Sequence, residues 1–271
     1  MYNIKVDTHT HTIASGHAFS TVTENAQKAF EAGLEAIAIT DHFGADFLVP
    51  SLSGKPLFPA ALNMKVLPNV MEGVRVLAGT EIDIVDKQGR LFFWNEVMFI
   101  GSYKGKTMME AMLESRDLTI ASVHNFEGSQ QLSEGEGTRM YVNVLHTPGV
   151  HILGHIGRSR VPFHIPTVVK EAKALGKMIE INNSSLSYGE EIKQICRQIV
   201  EQCAKEGCPV VVSSDAHSAY EIGIFSQTIS LLEEIHFPEE LIANTSLEKL
   251  LATIAKANQN QGFVTLPSTR G

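Results

Sequence analysis

Eleven histidines in 271 residues are the first feature with chemical content, and several stand in tight groups with acids. The groups read Asp7-Thr8-His9-Thr10-His11, Thr40-Asp41-His42, Gly79-Thr80-Glu81-Ile82-Asp83, Ser122-Val123-His124, Gly154-His155-Ile156-Gly157 and Ser213-Ser214-Asp215-Ala216-His217. Imidazoles and carboxylates together are a donor set for divalent Zn, Mn or Fe. His9 and His11 are two apart, so on a strand they point the same way, and Asp215 and His217 repeat that spacing. A lone histidine at a strand end is more often structural. Six such groups carry the weight here, provided that something brings them together.

The intervening sequence supplies that frame. Ile- and Val-rich runs over 4–10, 35–41, 74–83, 118–124, 150–155, 178–183 and 210–215 read as strands buried on both faces. Helical stretches are expected over 22–32, 57–70, 138–147, 165–175, 188–206, 219–236 and 238–257, with Gly33, Gly176 and Gly207 following helices where a C′ residue belongs. Strand–helix alternation means a parallel sheet with right-handed crossovers. An open doubly wound sheet and a closed barrel both fit the count. Six of the seven strands end on His, Asp or Glu, and in a barrel those ends share one rim, where barrel active sites lie. There the first and last strands are neighbours, so His9, His11, Asp215 and His217 face one volume. No linker divides the chain. The least regular part is 86–117, with an additional strand expected over 96–102 and a short helix over 107–115. The stretch 125–137 reads as a mobile loop, and the tail from 259 as frayed.

These groups, with His17 between the first two, resemble the motif set of the PHP (polymerase and histidinol phosphatase) family over nearly the whole chain. The run Glu180-Ile181-Asn182-Asn183-Ser184-Ser185 and the sequence His217-Ser218-Ala219-Tyr220 are similar to its YcdX-like phosphatase branch. The resemblance implies a distorted (β/α)7 TIM-like barrel spanning 1–258 as a single domain, with a tail over 259–271. It also implies a trinuclear metal centre. One ion would take His9, His11, Glu81 and Asp215. A second would take Glu81, His124 and His155, and a third His17, His42 and His217. Two departures from the branch stand out. The gap between Glu81 and His124 looks longer, and the segment in it is expected to roof the site or supply a subunit contact, which leaves a homo-oligomer open. Arg158 follows His155 where the branch lacks an arginine.

Three divalent ions, Zn first with Mn or Fe also suited, against Glu81 and Asp215 would make the pocket about +4 and attract a small dianion. The expected activity is a metal-dependent phosphoric monoester hydrolase acting on a small phosphorylated substrate. Its nucleophile would be a metal-bridging hydroxide; Glu81, His124 and Asp215 belong to the catalytic centre, and Arg158 clamps the phosphate in a bidentate fork. A phosphodiesterase or nuclease activity on short oligonucleotide ends and an amidohydrolase-like C–N hydrolase are the competing readings. No lysine ends a strand as the latter commonly needs. A net charge of −8 without a basic stripe excludes long nucleic acid as a partner. No apolar run is long enough to span a membrane and no signal-peptide pattern opens the chain. Three cysteines without C-x-x-C spacing point to a reduced, cytoplasmic setting. Asp7 is expected to face the ligand side and hold a histidine tautomer, Asp41 to face away. Asn182 to Ser185 are expected at the rim, in contact with substrate or forming a turn. His146, His151, His164 and His236 fit no ligand pattern.

Overall fold

A computed structural model describes residues 2–44, 64, 66–98 and 103–265. Seven parallel strands follow one another around a nearly closed barrel. They are β1 (Val6–Thr10), β2 (Ala36–Ile39), β5 (Val74–Asp83), β6 (Leu118–Ser122), β7 (Ile152–Leu153), β8 (Met178–Asn182) and β9 (Val210–Ser213). Two short strands add to β5: β3 (His42–Phe43), parallel, and β4 (Val70–Met71), antiparallel. Val70, expected to end a helix over 57–70, is therefore extended, and 57–63 and 65 lie outside the described residues. The helices are α1 (Val22–Glu31), α2 (Met108–Glu114), α3 (Glu134–Leu145), α4 (Ile165–Leu175), α5 (Glu190–Glu206), α6 (Ser226–Glu234) and α7 (Leu247–Asn260).

The strands carry apolar side chains on both faces because both faces are covered. Val6, Ala36, Ala38, Leu77, Leu118, Ile120, Ile152, Met178 and Val211 meet inside the barrel, and Leu250 and Ile254 of α7 close its floor. The outward residues Ile37, Ile39, Val76, Ile179 and Val212 pack with the helices in a second, larger cluster. From each inward residue the count in twos runs to the rim: Leu77 to Glu81 and Asp83, Ile120 to His124, Met178 to Glu180 and Asn182, Val211 to Asp215. Strand β1 breaks this rule. Its register with β2 shifts between Asp7 and Thr10, so Val6 faces inward and so do His9 and His11 of the opposite parity.

The barrel closes unevenly between β1 and β9. At the rim the two strands bond directly, His11 N–H to Ala216 O at 2.8 Å and Asp215 N–H to His9 O at 3.0 Å. At the floor the buried Asn244 is wedged between them. Its Nδ2 donates to Val6 O and to Val212 O, both at 2.7 Å, and its Oδ1 accepts from Val212 N–H at 3.0 Å.

Helix α3 begins at Glu134, inside the stretch expected to be a loop. Ser133 and Glu136 form a capping box there, with both reciprocal bonds present. Gly137, the last residue of that stretch, is required for packing: a Cβ at that position would stand 2.1 Å from Pro162 O. The helix expected over 219–236 is a 3-10 turn followed by α6, and that over 238–257 is a 3-10 turn followed by α7. Helix α7 crosses the expected 258/259 boundary, and the Phe263 ring packs on Gly149, so the fold extends past 258. In the irregular segment, Phe92 and Phe93 pack on Phe43 with ring centroids 5.4 and 5.8 Å away, building the wall behind His42. Of the strand expected over 96–102, Val97 makes one antiparallel bridge to Thr107, and 99–102 lie outside the described residues.

Candidate metal centre

The rim ends of the strands converge on Glu81, which is fully buried. Its Oε2 lies 2.8 Å from His42 Nδ1 and 3.2 Å from His9 Nε2, and its Oε1 2.8 Å from His155 Nε2 and 3.5 Å from His124 Nε2. Asp215 Oδ1 stands 3.2 Å from His11 Nε2 and 3.5 Å from His9 Nε2. The His17 ring stacks at 5.0 Å on His42 and lies 4.5 Å from His217, which stacks at 4.3 Å on His11. All nine expected donors therefore meet at one mouth. Arg158 joins them: its Nη2 donates to Asp215 Oδ2 at 2.6 Å and its Nη1 to Ser184 Oγ at 3.4 Å. The backbone turns sharply to achieve this, with φ of 29° at His155 and 60° at Asp215, left-handed conformations that non-glycine residues adopt at a cost.

A set of oxygen atoms behind the imidazoles decides which ring nitrogen faces the centre. His9 Nδ1 donates to Glu180 Oε1 at 2.6 Å, and His124 Nδ1 to Asp83 Oδ1 at 2.7 Å. His17 Nδ1 donates to Ser15 O at 3.1 Å and His217 Nδ1 to Asp215 O at 3.0 Å. For His11 the partner is Ser15 Oγ at 3.1 Å. That hydroxyl spends its one proton on Asp41 Oδ1 at 2.6 Å, so the proton between Ser15 and His11 sits on Nδ1. In the neutral form of all five rings the lone pair falls on Nε2, the nitrogen that a metal would take.

The donor set fits cations. Nε2 of His9, Nε2 of His11 and Oε2 of Glu81 are buried with no hydrogen-bond partner among the described residues. His9, His11 and Asp215 form one group able to hold an ion; His11, His42 and His217 form another, and His42, Glu81 and His124 a third, with the donor atoms of each mutually within 4.8 Å. Electrostatics agree. Burial alone would push the His9 proton off, yet Glu81, Glu180 and Asp215 hold it well above the usual histidine range. His124, half-buried, is raised to about 9 by Glu81 and Asp83 against the opposing effect of burial. Burial penalises the Glu81 charge, but His9, His124 and His42 hold its carboxyl well below the usual range. At the same centre burial holds His11 well below the usual histidine range and His17 and His155 below it, so neutral and charged imidazoles stand side by side.

Two of the supporting acids were not singled out from sequence. Glu180, besides holding His9, accepts His155 N–H on Oε2 and the Ser213 hydroxyl on Oε1, both at 2.6 Å. Asp83 holds His124. Both lie on the inward count from Met178 and Glu81, which was the available signal. Asp7 bonds no imidazole ring among the described residues: the β1 register shift turns it to accept Ser214 N–H and Gly223 N–H, each at 3.1 Å. Burial pushes its carboxyl up to about 6. Asp41, expected to face away, receives Thr12 N–H and Oγ1–H at 2.7 and 2.8 Å in addition to Ser15. Asn182 does two jobs, donating to Asp215 Oδ2 at 3.2 Å and accepting Ser185 N–H at 2.9 Å in the following turn.

A parallel barrel with histidines and acids gathered at the carboxyl ends of its strands defines a class of metal-site proteins. Residues 7–186 match the family model described as PHP domain, and the chain belongs to that family. It is 41% identical to a probable phosphatase of Caldanaerobacter subterraneus subsp. tengcongensis, across 90% of this chain and 89% of the relative. The solved structure of histidinol phosphate phosphatase from Lactococcus lactis subsp. lactis, complexed with zinc, L-histidinol and phosphate, matches with a TM-score of 0.55 at 16% identity. It covers 86% of this chain and 94% of that one. A chain in the structure of archaeal ribonuclease P with mature tRNA matches with a TM-score of 0.58 at 13% identity, covering 98% and 96%. At such identities both are likenesses of fold. Among the described residues no helix is long and apolar enough to cross a membrane.

Proposed function

We propose that the chain is a metal-dependent phosphatase that hydrolyses a small phosphate monoester. One observation carries this reading. Five imidazoles have Nδ1 tied to an oxygen, and three of them, His9, His11 and His124, aim Nε2 at the carboxylates of Glu81 and Asp215, in a chain whose curated relative is named a probable phosphatase. His9, His11, Glu81 and Asp215 would hold one divalent ion, Glu81, His124 and His155 a second, and His17, His42 and His217 a third. Zinc suits these donors, as do manganese and iron. Bound ions would supply Lewis acidity toward a phosphoryl oxygen and a water acidified toward neutral pH.

The protein's own groups do the rest. Glu180, Asp83 and the Asp41–Ser15 pair hold His9, His124 and His11 in the tautomer that offers Nε2. Arg158, its side chain 16% exposed, occupies Asp215 Oδ2 and leaves Oδ1 toward His9 and His11. A guanidinium carries five N–H donors, so Arg158 retains some for a phosphate oxygen. His124, its side chain 19% exposed, stands at the mouth, where substrate enters.

Elemental analysis of the purified protein, joined to turnover of a panel of phosphate monoesters including histidinol phosphate, tests the proposal. Two or more divalent ions per chain and phosphate release abolished by a chelator are the expected results. Fewer than two ions, or hydrolysis of amides without any phosphate ester, would overturn it.

A further inference from the structure

A cavity of about 480 Å³ lies outside the ring of imidazoles, where the segments after β6 and β7 meet the first turns of α5. All three follow the carboxyl ends of their strands, so the cavity belongs to the same end of the barrel as the metal centre. Its size falls in the range that accommodates small organic ligands, roughly 300–1,000 Å³. Ile156, Val161, Phe163, Ile192 and Ile195 make it largely apolar, and Gln130, Arg160 and Glu191 add polar groups.

The wall between this cavity and the centre is rigid. The Ser159 hydroxyl donates to Ile156 O at 2.9 Å and accepts from Tyr141 Oη–H at 2.9 Å and Val161 N–H at 3.3 Å. A Cβ on Gly157 would stand 2.6 Å from Cys196 Sγ of α5, so the loop lies directly on that helix. Pinned in this way, the loop sends Arg158 inward to Asp215 and carries Arg160 on the cavity side. Arg160 is held at φ 59°, a strained conformation for a side chain with Cβ. Neither its guanidinium nor the Glu191 carboxylate has a hydrogen-bond or ion-pair partner among the described residues.

We propose that this cavity is the subsite for the alcohol part of the phosphate ester. The substrate is then a monoester of a mid-sized, partly apolar alcohol that ends in a carboxylate facing Arg160. This rests on the phosphatase reading above. With the phosphate among the imidazoles, the ester chain crosses Arg158 and the Tyr188 ring, which is 61% exposed and centred 5.2 Å from the guanidinium. Gly157 lines the cavity and the next residue, Arg158, bonds Asp215, so the two chambers adjoin along this loop.

Calorimetric titration of the metal-loaded protein with ethyl phosphate, hexyl phosphate and 6-(phosphonooxy)hexanoate tests this, because the three differ in length and end group and hardly in leaving-group chemistry. Hexyl phosphate is expected to bind at least about tenfold tighter than ethyl phosphate, as burying several methylenes requires. Gln130→Trp, which roofs the cavity from an exposed position, and Ile195→Trp, which fills it, should each erase that ratio. Arg160→Glu should weaken the carboxylate-ended ester about threefold or more relative to hexyl phosphate. Equal affinity for ethyl and hexyl phosphate, or a preference that survives both tryptophan variants, would overturn the proposal. Phosphate release measured in parallel keeps the readings separate: esters that bind with the expected ratios yet are never hydrolysed contradict the phosphatase reading and support the subsite.

Discussion

Glu180→Gln is the most informative single change. Three donors converge on this buried carboxylate, His9 Nδ1, His155 N and Ser213 Oγ, each 2.6 Å from an oxygen. Glutamine keeps the shape but replaces one oxygen by an NH2 group, which must then face one of those donors. If the amide nitrogen lies toward His155, an N–H opposes an N–H. If it lies toward His9, the imidazole must shift its proton to Nε2 and lose the lone pair aimed at Glu81. Removing a charge-assisted bond in a buried site costs on the order of 1.5–3 kcal/mol. Losing the partner that orients a ligating histidine typically weakens metal binding about 10–100-fold. The expected outcome is a protein that folds and loses metal at chelator concentrations the parent tolerates, with phosphate release falling in proportion to metal content. Elemental analysis after graded chelator dialysis reads the effect, and circular dichroism confirms the fold. Metal retention and turnover equal to the parent's would refute the claim that Glu180 sets the His9 tautomer.

Three further outcomes are expected. His124→Ala should abolish phosphate release while the thermal midpoint moves little, since the ring stands at the mouth; unchanged turnover would show the centre misplaced. His151 is buried, with Nδ1 accepting Thr119 N–H and Nε2 donating to Asn258 Oδ1, and burial lowers it to about 4. Between about 6.5 and 4 the unfolded chain therefore binds the proton and the folded one does not, so stability falls as pH drops through that window, by up to about 3 kcal/mol. Urea midpoints at neutral and mildly acidic pH should converge in His151→Gln relative to the parent, and an identical pH slope in both would contradict this. Asn244→Ala strips partners from Val6 O, Val212 O and Val212 N, which should cost about 3 kcal/mol or more and lower the melting temperature by several degrees; an unchanged melting point would mean water replaces the side chain.

What the sequence displayed well was whatever repeats in twos. Val74 to Asp83 is a strand over its full expected length, and the acids and histidines closing the strands do gather at one rim. Glu180, read only as part of a run, shows no role of its own because it sits inside an apolar stretch, Met178-Ile179-Glu180-Ile181-Asn182, where a single acid looks like an exception. Counting inward from Met178 would have placed it beside His9. Asp7 was misplaced for the opposite reason: its two-residue spacing to His9 is real, but the register shift in β1 annuls the inference. Such a shift arises from pairing with β2 and leaves no mark on β1 itself. The start of α3 was obscured by Gly135 and Gly137, although Ser133 and Glu136 form a recognisable cap. The Ser15 contact with Asp41 and His11 depends on a 3-10 turn over Ile13–Ser15 that local composition does not announce.

The uneven closure between β1 and β9 has a mechanical consequence. His9 and His11 lie on one side of that joint and Asp215 and His217 on the other, so a cation gripped by His9, His11 and Asp215 would rivet together the first and last strands of the barrel. Below it the joint is held by Asn244 and by the Asp7 carboxylate, which accepts Ser214 N–H. Stripping the ions should let the staves part from the top. Backbone amides of His11 and Asp215, which bond across the joint, should then exchange with deuterium far sooner than those of β5 and β6 on the far side of the barrel.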